Sequence, residues 1–330
     1  TYSDTNFNVD AVTITLTVIN NGKVNYSAAY APITNGQTYT YANFEEIQKV
    51  DDIYTLTAKL VDMAGNETEQ TITFSANRFG SVYDLTDVKD ILGKYLTTEQ
   101  DIVFTETNVD SLDREDILIK LTKNGTPTDL IEGVDYTVET SGGNGRWSVY
   151  KYTIKKALFA GDGRYSISVY STDAAGNVNE NIDETKAAEI SFGIDKTTPV
   201  IVPIDFESNE QYDVEMKTVS VEIKDNLVLE DVKIYLNGQE IEYTVDGETY
   251  TFNIPESNDK QDVKIVVVDA AGNEQVIEVN GFTVSTNFFV RWFNDTPVFI
   301  GSMVGMVALA LGITIFLVFF KKKKKNEDEE

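Results

Sequence analysis

The sequence predicts an all-β chain of tandem β-sandwich domains, closed by one C-terminal transmembrane α-helix. Three observations carry that prediction. Apolar and polar residues alternate along many short segments, the period of half-buried strands. One turn motif recurs three times. The last apolar run is long enough to cross a bilayer and stops at a block of lysines.

The repeated motif is D-x-A-G-N. It occurs as Asp62-Met63-Ala64-Gly65-Asn66, as Asp173-Ala174-Ala175-Gly176-Asn177 and as Asp269-Ala270-Ala271-Gly272-Asn273. Each copy ends an alternating stretch: Tyr54, Leu56, Ala58 and Leu60 in the first, Tyr165, Ile167 and Val169 in the second, Val263, Ile265 and Val267 in the third. A second alternating stretch follows, such as Thr71-Ile72-Thr73-Phe74 or Val276-Ile277-Glu278-Val279. Each pair predicts a hairpin. Gly65, Gly176 and Gly272 supply the positive φ of the turn, while Asp62, Asp173, Asp269 and Asn66, Asn177, Asn273 hydrogen-bond its backbone. That chemistry explains the Asp and Asn residues without a metal ion.

A second landmark lies upstream in every copy. Strands beginning at Val12, Ile117 and Val232 run into Asn21-Gly22, Asn124-Gly125 and Asn237-Gly238. The Gly-to-Gly separation is 43, 51 and 34 residues, a spread expected of variable loops between fixed strands. In the second and third copies another strand comes first, Asp101-Ile-Val-Phe-Thr105 and Val219-Ser-Val-Glu-Ile223. The first copy has only the polar stretch Thr1–Asp10 there, so the chain is expected to be the C-terminal part of a longer polypeptide. The boundaries that follow are a truncated domain over 1–76, domains over 77–198 and 199–286, an aromatic juxtamembrane segment over 287–297, a transmembrane helix over 298–320 and a cytoplasmic tail over 321–330. Leu85, Val88, Ile91, Leu92 and Tyr95, with Thr86 as N-cap, fit a short helix over 85–96; an irregular edge strand is the alternative.

This order of strands, the Asn-Gly turns, D-x-A-G-N and Asp195-Lys-Thr-Thr-Pro199 together resemble the bacterial immunoglobulin-like repeats of Gram-positive surface proteins. The resemblance covers residues 1–286. It implies a stalk, adhesive or spacer role. It also places Tyr54 and Tyr165 near the tyrosine-corner position, where the third copy has Gln261.

Val298–Phe320 is a 23-residue run without charge. At 1.5 Å per residue it covers ~34 Å, enough for a ~30 Å hydrocarbon core. Lys321, Lys322, Lys323, Lys324 and Lys325 follow, which puts the tail in the cytoplasm and the N-terminal part outside a cell membrane crossed once. Phe288, Phe289, Trp292 and Phe293 fall at the headgroup level as an anchor. Gly301, Gly305, Ala308 and Gly312 share one helix face; they are read as ordinary lipid-facing small residues, with a helix–helix contact that makes a weak homodimer as the alternative. The upstream residues Phe293-Asn-Asp-Thr-Pro297 contain no L-P-x-T-G wall-sorting motif, so the anchor is expected to stay uncleaved.

Composition narrows the function classes. The chain has 330 residues, 54 acidic and 27 basic, for a net charge of −27, with no cysteine and no histidine. Disulfides, thiolate zinc sites and histidine-dependent triads are therefore excluded. Nucleic acid is not an expected partner, because phosphate binding needs clustered Lys and Arg. No catalytic residue and no cofactor is expected. Asp110, Asp113, Glu115 and Asp116 form a dense acidic loop, read as solvated, with calcium as the alternative. Asp4-x-Asn6-x-Asn8-x-Asp10 opens like a calcium loop, but Val9 stands where glycine is needed. The expected function is a membrane-anchored extracellular stalk or adhesin-type protein. The alternatives are the tether of an exported hydrolase, or direct binding of a glycan or protein by the loop around Trp147. The expected partners are accordingly a lipid bilayer and, under the last reading, a surface glycan or protein.

Overall fold

A computed structural model describes residues 3–20, 24–30, 34–36, 51–183, 186, 188–204 and 206–327. It divides into two compact units, Thr1–Asp195 and Lys196–Glu330.

The first unit begins with one antiparallel sheet. Its strands are β1 (Val12–Asn20), β2 (Val24–Tyr30), β3 (Asp52–Val61) and β4 (Glu67–Ala76), in the order β2-β1-β3-β4. Register pairs Leu16 with Leu56 and Leu56 with Ile72, so apolar residues share one face. Threonines share the other: the hydroxyls of Thr57 and Thr71 lie 3.2 Å apart, those of Thr55 and Thr73 3.3 Å. The apolar face is unevenly covered. Val12, Ile14 and Leu16 are buried, but on β4 Ile72 is 59% exposed and Phe74 37%.

The rest of the first unit is a two-sheet sandwich. It contains β5 (Val82–Asp84), β6 (Tyr95–Leu96), β7 (Ile102–Asn108), β8 (Leu118–Lys123), β9 (Thr126–Asp129), β10 (Tyr136–Ser141), β11 (Ser148–Ile154), β12 (Gly163–Thr172), β13 (Val178–Glu180) and β14 (Ile190–Ile194). One sheet runs β10-β11-β7-β5; the other runs β6-β14-β12-β8-β9, with β13 on β12. Inward residues at period two, such as Ile102 and Phe104 on β7 and Ile167 and Val169 on β12, fill the core with Tyr152, Phe159 and Ile190.

The second unit repeats that plan with β15 (Val200–Ile204), β16 (Gln211–Tyr212), β17 (Met216–Lys224), β18 (Leu229–Leu236), β19 (Gln239–Glu240), β20 (Thr244–Asp246), β21 (Thr249–Pro255), β22 (Gln261–Asp269) and β23 (Glu274–Val284). Its sheets run β15-β17-β21-β20 and β16-β23-β22-β18-β19, matching the first sandwich except that β13 has no separate counterpart. Phe252, Phe282, Ile223 and Ile265 centre its core. The initial sheet, in the order β4-β3-β1-β2, matches β14-β12-β8-β9, one half of this plan. A short helix α1 (Phe288–Asn294) and a long helix α2 (Thr296–Glu327) end the second unit.

The all-β architecture with one C-terminal apolar helix is thus the fold of this chain. Of the two readings of 85–96, the helix does not form, and the edge strand holds only at Tyr95–Leu96, which is β6 at the edge of its sheet. Residues 85–94 form successive turns: Val88 N–H donates to the Leu85 carbonyl, Ile91 to Val88 and Lys94 to Ile91. Each bond spans three residues, which drops Val88 and Ile91 into the core and delivers the chain to β6. Thr86 is not an N-cap; its own N–H and hydroxyl both donate to Asp84 Oδ1.

Candidate functional site

The three D-x-A-G-N turns are built alike. In each, one oxygen of the leading Asp accepts two backbone N–H groups: Ala64 and Asn66 at 2.8 Å on Asp62, Ala175 and Asn177 at 3.1 and 2.9 Å on Asp173, Ala271 and Asn273 at 2.9 and 2.8 Å on Asp269. The other oxygen accepts the Asn amide at 2.7, 2.9 and 2.7 Å. Gly65, Gly176 and Gly272 have φ of 85°, 88° and 90°, where a side chain would be strained. The Asn-Gly turns at Asn124-Gly125 and Asn237-Gly238 have positive φ at both residues, as a type I′ hairpin turn requires. The Asn21-Gly22 turn lies outside the described residues.

The Asp173 turn does more than close a hairpin. It sits in a buried polar joint between the initial sheet and the sandwich of the first unit. The Asn77 amide donates to Asn108 Oδ1 (2.8 Å), Asp173 Oδ2 (2.9 Å) and Asp110 Oδ2 (3.2 Å). Asn108 in turn donates to Asp173 Oδ2 and to Ser81 Oγ. Ser81 N–H donates to Asn179 Oδ1, and the Lys186 ammonium donates to the Phe79 and Ser81 carbonyls. Asp51 Oδ2 accepts the Arg78 and Phe79 N–H groups, both at 2.8 Å. The connection from Asn77 to Ser81 is therefore held by its own backbone on nearly every side. Burial pulls Asp173 upward, but bonds from Asn177, Asn108 and Asn77 outweigh it and hold its carboxyl below the usual value. Burial pushes the Lys186 ammonium down, against the pull of Asp183, Asp51 and Glu106.

Beneath the joint, Glu106 occupies an inward position of β7 and is fully buried. Ser171 Oγ (2.6 Å) and Tyr83 Oη (3.3 Å) donate to its Oε1, and Tyr152 Oη (2.7 Å) donates to its Oε2. Burial, then the Glu106 charge, push both tyrosines well above the usual phenol range. Sequence reasoning missed Asn77, Asn108 and Glu106. The one local signal was a carboxylate in the inward series Ile102, Phe104, Glu106 of β7.

The acidic loop disperses. Asp110 belongs to the joint, whereas Asp113, Glu115 and Asp116 are exposed. Asp113 accepts the Glu115 N–H through its side chain and the Asp116 N–H through its carbonyl. These four carboxylates do not converge as a ligand set among the described residues. Asp4 and Asn8 likewise accept the N–H groups of Asn6 and Asp10, each two residues on. Trp147 is half-buried, and its indole N–H donates to Asp52 Oδ1 at 2.8 Å. Burial raises Asp52, and that bond together with the Ile53 N–H pulls it back. Trp147 thus ties the β10–β11 hairpin to β3.

Tyrosine-corner geometry appears at Tyr165, whose hydroxyl donates to the Gly161 carbonyl. In the third copy Gln261 makes an equivalent tie, its amide donating to the Pro255 carbonyl at 3.2 Å.

At the C-terminus, Thr296–Lys321 is long and apolar enough to cross a membrane, and its most apolar stretch is not buried against protein. A Cβ built on Gly301, Gly305 or Gly312 meets nothing within 4 Å. Trp292 donates its indole N–H to Ser302 Oγ at 3.0 Å and packs on Phe299. Lys321–Lys325 continue α2.

No protein-family model matches the chain, and no curated protein matches it. Solved structures do. Fibronectin(III)-like modules of Clostridium thermocellum CbhA align at 11% identity and a TM-score of 0.29, over 62% of this chain and 94% of that one. A bacterial ice-binding adhesin aligns at 16% identity and 0.26, over 84% and 87%. The D1–D4 ectodomain fragment of ICAM-5 aligns at 13% and 0.27, over 83% and 67%. At such scores these likenesses carry no functional argument. The sandwich assignment rests on the sheets described above.

Proposed function

We propose that this chain is a membrane-anchored extracellular stalk: immunoglobulin-like modules over 1–76, 77–198 and 199–286, carried on one span at residues 298–320. The observation that carries the reading is the attachment to the last sandwich of a long helix whose stretch Val298–Phe320 is exposed and without charge. Lys321–Lys325 favour a cytoplasmic tail and an outer N-terminal part. The unfilled face at Gly301, Gly305 and Gly312 accommodates a second copy of α2 as a weak dimer. Calcium at Asp110, Asp113, Glu115 and Asp116 has no convergent carboxylates in its favour.

A non-enzymatic role is supported by where the polar side chains go. Glu106, Asp51 and Asp173 accept hydrogen bonds from the protein's own groups, and the last two hold the connection that starts at Asn77. The reading of the Trp147 loop as a glycan or protein site is disfavoured, because its indole N–H is already used by Asp52.

The test is protease added to intact cells that make the chain. Cleavage before Phe288 with the tail protected, and resistance to alkaline extraction, is the expected outcome. A tail cut in intact cells, or a freely soluble chain, overturns the reading.

A further inference from the structure

The segment between the last sandwich and the membrane span would ordinarily be a flexible tether. Here it is a helix with two unlike sides. At 100° per residue, Phe288, Trp292, Phe289 and Phe293 of α1 occupy one continuous arc, and Arg291 and Asn294 lie opposite. The polar side is fastened to the sandwich. Arg291 Nη1 donates to Asp213 Oδ1 at 2.6 Å and to the Ser285 carbonyl. Its side chain is only 17% exposed. Asn294 is buried and donates to the Asn258 carbonyl at 3.1 Å. The Lys260 ammonium reaches Thr296 Oγ1, the first residue of α2, at 3.2 Å. Asn287 caps α1 by accepting the Phe289 N–H, and Thr286 donates to Glu256.

The aromatic side faces away from protein. Phe288, Phe289 and Phe293 are 64–72% exposed. Asp295 alone separates α1 from α2, and Phe299 on α2 packs against both Trp292 and Phe293 with ring centroids 5.0 and 5.2 Å apart. The aromatic arc is thus continuous with the apolar surface of the span.

We propose that α1 is an interfacial collar: its aromatic arc lies in the outer leaflet at the boundary of headgroups and acyl chains, while Arg291 and Asn294 clamp the last sandwich to it in one orientation. This rests on the membrane-anchor reading above. A helix of this kind buries its apolar face about 5–10 Å into the interface. The occupant is a zwitterionic lipid surface. On the segments that hold α1 and Thr286, the acids Asp213, Glu215, Glu256 and Asp259 are exposed and outnumber Lys260, so attraction to anionic lipid is weak and burial of the rings is the driving force. The sandwich then has no free swivel, and its orientation is set by the membrane.

The chain has no cysteine, so a single Asp246→Cys at the exposed end of β20 takes a probe at one site. With Trp147→Phe in the other unit, Trp292 becomes the sole indole. The full chain is reconstituted in phosphatidylcholine vesicles. The expected results are Trp292 quenching that is strongest with lipid brominated near the headgroup, and slow, bilayer-limited rotation of the probe. Arg291→Ala with Asn294→Ala is expected to leave the chain in the vesicles and release fast wobble. Phe288→Ser with Phe289→Ser and Phe293→Ser is expected to move Trp292 toward aqueous quenchers. If wobble is the same with and without the Arg291 and Asn294 changes, or if Trp292 is quenched from water in the unaltered chain, the collar is overturned while the anchor stands. If the unaltered chain does not stay with vesicles after alkaline extraction, the anchor reading falls and the collar with it.

Discussion

At the residue scale, the joint of the first unit concentrates the chemistry. Asp173 accepts bonds that hold its folded-state pKa below its unfolded value, about 3.9 for a free Asp. A lowered carboxyl contributes stability that is present above the unfolded pKa and lost as pH falls through the folded one. Urea stability of the first unit, followed by Trp147 fluorescence, is therefore expected to hold between about pH 7 and 5 and to drop below about pH 4. Asp173→Ala is expected to remove about 2–4 kcal/mol at pH 7 by stranding the amides of Asn77, Asn108 and Asn177, and to flatten that drop. Asp52 works in the opposite sense: burial raises it, so its contribution is largest at low pH and fades as pH rises. Its partner gives a second prediction. Trp147→Phe keeps an aromatic ring but removes the donor, leaving a buried carboxylate oxygen short of a bond, and is expected to cost about 1–3 kcal/mol in urea unfolding followed by circular dichroism. No loss would mean that the β10–β11 hairpin is not tied to β3.

At the element scale, the sequence was most legible where structure is made by neighbours. D-x-A-G-N and Asn-Gly fix their turns within five residues, and the alternating strands around them follow from a period of two. The joint was not legible, because Asn77 finds Asn108 31 residues on and Asp173 96 residues on, and nothing local marks an asparagine for such a partner. The helix expected over 85–96 failed for a related reason: its apolar spacing suits bonds spanning three residues as well as four, and the core decided between them. The two sheets differ in how their apolar residues are covered: Ile72 on β4 is 59% exposed whereas Ile167 on β12 is fully buried. In urea unfolding Ile72→Thr is expected to change stability by less than about 0.5 kcal/mol, and Ile167→Thr to cost about 2–4 kcal/mol. Equal costs would mean that β4 is as well covered as β12.

At the scale of the whole molecule, charge is the dominant feature. The net charge of −27 lies outside Val298–Phe320, and the acids that set it are mostly on strands, loops and turns. The ion pairs among the described residues are mostly exposed: Lys59–Glu67, Lys224–Glu248, Lys233–Asp231 and Lys264–Glu278 all lie at the surface. Exposed pairs are worth about 0–1 kcal/mol each, so they offset little of the mutual repulsion of the acids. Salt acts on attraction and repulsion with opposite consequences for stability. It weakens each pair slightly, and it screens repulsion between acids farther apart than the Debye length, about 8 Å at physiological ionic strength. With twice as many acids as bases, repulsion exceeds attraction. The melting temperature in detergent is therefore expected to rise by a few degrees as sodium chloride is raised from about 0.01 to 0.5 M, with most of the gain below about 0.15 M. A fall over the same range would mean that the surface pairs act as a cooperative network and outweigh the excess of acids.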